Sequence, residues 1–84
     1  MTTLSNLMQS LEWYKRLEVL RITSGWSQSE AANECGTNQK VYWLWEKGLS
    51  YPRNNSRIAI AKAFKVPVYE IFGRQFDKEA ATRL

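Results

Sequence analysis

The sequence predicts an all-α fold, a single compact domain of five short helices with a tight turn between two of them at its centre. Three observations carry this expectation. Apolar residues recur at spacings of three and four, as in Trp13, Leu17 and Leu20, in Tyr42 and Trp45, and in Ile60 and Phe64. Gly25, Gly36, Gly48 and Gly73 each follow such a segment, where helices stop. No run alternates apolar with polar residues as a strand would. At 84 residues there is room for one domain, and 44% hydrophobic content with 4 Gly and 2 Pro excludes collagen-like and disordered chains.

Residues 1–10 read as an N-terminal arm or an extra turn, 11–73 as the folded domain, and 74–84 as a tail or final helix suited to dimerisation. The first helix is expected from Ser10, as N-cap, to Ser24, closed by Gly25. Ser27 and Glu30 form the sequence signature of a capping box, with Trp26 positioned to staple a short second helix over 28–35. Gly36 stops that helix. A third is expected over 38–47 and a fourth over about 55–64, opened by Asn54, Asn55 or Ser56. Pro67 suits the first position of a fifth helix, over 67–72, which Gly73 ends.

Composition excludes several chemistries. The chain has no histidine and one cysteine, so the commonest general base, an internal disulfide and a Cys/His zinc site are all missing. No glycine-rich phosphate loop is present. An enzyme is not expected, nor a metal or other cofactor. Asp77 and Glu79 have no evident catalytic partner. The apolar runs are far shorter than the ~20 residues needed to span a bilayer, and the N-terminus lacks the features of a secretory signal. The expected setting is cytoplasmic and nucleoid-associated.

The formal charge of +4 is unevenly placed. Residues 36–65 hold Lys40, Lys47, Arg53, Arg57, Lys62 and Lys65 against Glu46 alone, whereas the flanking stretches are close to neutral. A basic stretch can be a solvated face. It also suits phosphate contact, because each cation that meets a nucleic-acid backbone releases counterions.

A helix over 28–35, a turn at Gly36 and a helix over 38–47 have the spacing of a helix-turn-helix, although an ordinary αα-hairpin has it too. The residues add a resemblance. Leu20-Arg21, Gly25-Trp26-Ser27-Gln28-Ser29-Glu30-Ala31-Ala32, Cys35-Gly36, Glu46-Lys47-Gly48, Pro52, Ile60-Ala61-Lys62-Ala63-Phe64, Val66 and Ile71-Phe72-Gly73 occur in one order. Together they resemble the Cro/phage-repressor (XRE-type) helix-turn-helix domain over about two-thirds of the chain. That resemblance implies the lambda-repressor-like fold and sequence-specific binding of double-stranded DNA, with the helix over 38–47 in the major groove. It further implies a homodimer on a pseudo-palindrome with half-sites ~34 Å apart.

By that resemblance Gln28 meets a DNA phosphate, Ala32 lets two helices cross closely, and Arg21 and Glu46 pair within the scaffold. Asn38, Gln39 and Lys40 have the chemistry to read base edges, Asn and Gln on adenine and Lys on guanine or a phosphate. Tyr42 and Trp45 are expected in the core. Trp43 and Leu44 depart from the usual polar pattern, and suit either a thymine methyl or a protein interface. Backbone contacts are expected from Lys47, Tyr51, Arg53, Asn54, Asn55 and Arg57. Arg57 stands where relatives have an inward Leu, so it either snorkels out to a phosphate or marks a later helix start. Lys65 replaces a capping Gly, and Pro67 a capping Ser or Thr. Val68, Tyr69, Phe72 and Phe76 suit either a dimer surface or closure of the core.

Two functions compete on these residues. One is a DNA-binding regulator acting as a repressor. The other is a protein-interaction module on the same fold, an antitoxin or an antagonist of another regulator, with a protein partner on Trp43 and Leu44. Steep salt dependence marks the first and not the second.

Overall fold

The computed structural model describes residues 9–73, and they are helical with short connections. The helices are α1 (Trp13–Ser24), α2 (Gln28–Glu34), α3 (Gln39–Glu46) and α4 (Asn54–Phe64), followed by α5 over residues 68–73. No strand occurs among the described residues.

Local chemistry sets the boundaries. The Ser27 hydroxyl accepts from the Glu30 N–H at 3.1 Å, and the Glu30 carboxylate accepts from the Ser27 N–H at 2.8 Å, completing the capping box on α2. The Asn38 side-chain oxygen accepts from the Val41 N–H at 2.8 Å and starts α3. α1 begins later than expected, with Glu12 rather than Ser10 at the N-cap. The reason is Arg16, whose Nε donates to the Leu11 carbonyl at 2.9 Å and whose Nη2 donates to the Gln9 carbonyl at 3.2 Å. Those carbonyls are turned to the guanidinium, and the helical ladder starts at the Glu12 carbonyl. α4 begins one residue earlier than expected, with Arg53 at its N-cap. α5 continues through Gly73, which is helical in the structure and not a stop.

Helices α1 to α4 end in one pattern. The residue after the C-cap turns left-handed or the C-cap itself does, and two backward N–H bonds, such as Gly25 to Ile22 and Trp26 to Arg21, satisfy the final carbonyls. Three of these ends use glycine. α4 uses Lys65 at φ 59°.

Leu17, Tyr42, Ile60, Ile71 and Phe72 are completely enclosed, and Trp13, Leu20, Trp45 and Phe64 complete the core around them. Ala31 and Ala32 are buried on α2, where small side chains let α3 approach closely. Trp26 packs its ring on Phe64 of α4 at 5.3 Å. Trp13, Tyr51 and Phe72 form a triangle of rings 5.1–5.9 Å apart that joins α1, the loop before α4 and α5. Arg16 reinforces that junction, donating through Nη1 to the carbonyls of Glu70 at 3.3 Å and Ile71 at 3.2 Å.

Candidate nucleic-acid interface

α2 and α3 pack against each other across a four-residue connection, residues 35–38. Gly36 takes φ 76° there, and the Thr37 N–H closes back on the Ala32 carbonyl at 2.9 Å. The far end of α3 is fixed by Glu46, which is only 5% exposed. Its carboxylate accepts from Arg21 Nε at 2.6 Å, Arg21 Nη2 at 3.3 Å and Gln28 Nε2 at 3.3 Å. One buried carboxylate thus ties α1, the start of α2 and the end of α3. The same hydrogen bond raises the Arg21 pKa above its usual value, outweighing the opposing effect of burial.

Anchoring one face of α3 leaves the other to solvent. Tyr42 and Trp45 point inward, as expected, with ring centroids 6.0 Å apart. Gln39, Lys40, Trp43 and Lys47 are exposed on the opposite side, and Leu44 is half-buried beside them. Residues three and four apart share a helix face, so Gln39, Lys40, Trp43 and Lys47 make one stripe. The Lys47 ammonium lies 5.8 Å from the centre of the Trp43 ring. Arg53, Asn54 and Asn55 are exposed at the start of α4, whose N-cap residue provides no side-chain bond to the first-turn N–H groups.

No family model, curated protein or solved structure matches the chain.

Several expected contacts are placed elsewhere. Arg57 does not snorkel outward. It is 4% exposed, its Nη1 donates to the Pro52 carbonyl at 2.7 Å, and its guanidinium lies 5.0 Å from the Tyr51 ring centre. Tyr51 itself turns inward against Trp13 and Phe72, with its hydroxyl buried. Neither residue presents a donor to an external phosphate. Phe72 is fully enclosed and closes the core rather than a dimer surface. Tyr69 is 61% exposed, Val68 is half-buried, and Phe76 lies outside the described residues. Asn38 is exposed, but its oxygen is engaged in the cap, so only its NH2 group is free to read a base. Gln28 is half-buried, with one amide proton on Glu46 and the other available.

The sequence reading missed Arg16. Glu12 and Glu18 flank it in the chain and suggest a surface ion pair, whereas the acceptors named above are main-chain carbonyls that residue type does not announce. Among the described residues no helix is long and apolar enough to cross a membrane. No group of His, Cys, Asp or Glu among them could hold a metal ion.

Proposed function

We propose that this chain is a sequence-specific double-stranded DNA-binding regulator of the Cro/phage-repressor type, acting as a repressor. In this reading α2, the 35–38 turn and α3 are a helix-turn-helix. α3 enters the major groove, and Gln39 and Lys40 reach base edges with the Asn38 NH2 group beside them. The observation that carries it is the polarity of α3. One face is pinned by Tyr42, Trp45 and Glu46, and the other offers Gln39, Lys40 and Lys47 to solvent. The exposed Arg53, Asn54 and Asn55 add a second set of phosphate donors at the start of α4, and Gln28 retains one amide proton for a backbone oxygen. A homodimer would carry two such faces onto a pseudo-palindrome, with exposed Tyr69 a candidate for its surface.

Binding to random-sequence duplex, followed by selection of the bound sequences, tests the proposal. Affinity should fall by orders of magnitude between about 50 and about 200 mM salt, and selection should return a dyad-symmetric site. Lys40→Ala should weaken binding strongly, and Gln39→Ala should relax preference at particular positions by about 1–3 kcal/mol. Failure to bind any duplex at low salt would sink the proposal and leave α3 as the surface of a protein-interaction module.

A further inference from the structure

α3 leaves one large ring outside the core. Trp43 is 39% exposed, while the other two rings of α3, Tyr42 and Trp45, are 0% and 4% exposed. Its surroundings on the helix are polar and cationic, with Gln39 and Lys40 one turn before it and Lys47 one turn after. An apolar protein partner seated on the ring would have to strip water from both ammonium groups beside it, at a cost that apolar contact does not return. A DNA duplex meets both needs at once. Its phosphates take the ammonium groups, and the floor of its major groove offers an apolar group, the C5-methyl of thymine, next to the O4 acceptor. Helical side chains lean toward the N-terminus, so an indole at position 43 covers the turn carrying Gln39 and Lys40.

We infer that Trp43 is a specificity-determining residue that reads a pyrimidine C5-methyl group in the major groove. The inference rests on the DNA-binding reading above and deepens it. It makes the protein sensitive to the difference between thymine and uracil, and between 5-methylcytosine and cytosine, at one step of each half-site. Uracil in place of thymine leaves every hydrogen-bonding group of the base pair unchanged and removes one methyl. Burying that methyl against the indole is worth about a fourfold gain in affinity.

The test uses the whole chain and the duplex recovered by selection from a random pool. Each thymine is replaced in turn by uracil, and the most sensitive position is then also made cytosine and 5-methylcytosine. Affinities are measured for the unsubstituted protein and for Trp43→Ala, with circular dichroism to verify that the variant is folded. The expected result is one thymine per half-site whose demethylation weakens binding about fourfold. Methylating cytosine there should restore a similar factor, and Trp43→Ala should abolish both effects. Steep salt dependence with a flat uracil scan would overturn the inference and leave DNA binding standing. A sensitive thymine whose pattern survives in Trp43→Ala would assign the methyl to another side chain and overturn it equally. No duplex bound at about 50 mM salt would end both readings. The uracil scan alters only the DNA, so a flat scan overturns the inference even if Trp43→Ala fails to fold, and Trp43→Gln then serves as the second variant that tests which side chain reads a sensitive thymine.

Discussion

Arg53 and Arg57 are four residues apart in one basic stretch, and the structure gives them opposite employment. Arg53 is exposed at the N-cap of α4 and Arg57 is buried against Tyr51 and the Pro52 carbonyl. Arg53→Ala should therefore leave the urea midpoint nearly unchanged and reduce the slope of log affinity against log salt by about one. Arg57→Ala should do the reverse, costing about 1–3 kcal/mol by leaving a buried carbonyl without its donor, with the salt slope unaltered. Equilibrium unfolding and a salt titration of DNA binding, run on both variants, separate the two roles. By resemblance the sequence marks position 57 as an inward one, but it does not show that an arginine stays inside there. A cation in a basic run reads as solvated, and nothing in residue type announces that a main-chain carbonyl and an aromatic face await it inside. The Arg21–Glu46 pair was legible, because its resemblance-based assignment named both partners. Glu46→Ala strands Arg21 and Gln28 together and should cost about 3 kcal/mol in urea unfolding.

The capped start of α2 and three glycine-marked helix ends are legible in the sequence, whereas the start of α1 and the expected stop at Gly73 are not. Glycine marked the closures of α1, α2 and α3, because the left-handed residue that follows a helix disfavours a Cβ. The start of α1 was misplaced because its cause, the reach of Arg16 to Leu11 and Gln9, is a side chain acting on main chain outside the capping pattern. Two substitutions test the ends. Lys65 holds φ 59° where the backbone prefers glycine, so Lys65→Gly should raise stability by up to about 1 kcal/mol in thermal unfolding. Gly48 is constrained twice over. It has φ 71°, and a Cβ there would lie 2.8 Å from the Tyr14 ring. Gly48→Ala should destabilise the fold by more than about 1 kcal/mol, and Tyr14→Ala should relieve part of that cost in a double-mutant cycle.

For the whole molecule, the partition between a basic middle and near-neutral flanks was visible in composition, but which cations face outward was decided only by packing. The enclosed core also shapes the response to alkali. Burial pushes the Cys35 thiol from its ordinary 9.0 to about 12. Tyr42 is likewise raised, by burial first and by the neighbouring Glu46 carboxylate second. Between those thiol values the unfolded chain loses a proton that the folded chain keeps, so stability falls as pH rises, by up to about 1.4 kcal/mol per unit. Urea midpoints at about pH 8 and about pH 10 should differ accordingly, and Cys35→Ala should flatten the lower part of that decline. Arg16 has a consequence for time rather than for equilibrium. Its bond to the Ile71 carbonyl joins residues 55 apart in the chain, closing a long circuit between α1 and α5. Such a long-range contact belongs after the main barrier, since its loop-closure entropy must be spent before the contact itself repays it. Arg16→Lys should therefore hasten unfolding in stopped-flow fluorescence while refolding keeps nearly its original rate. The guanidinium is in that sense a latch, and it governs how long the folded molecule lasts more than how quickly it forms.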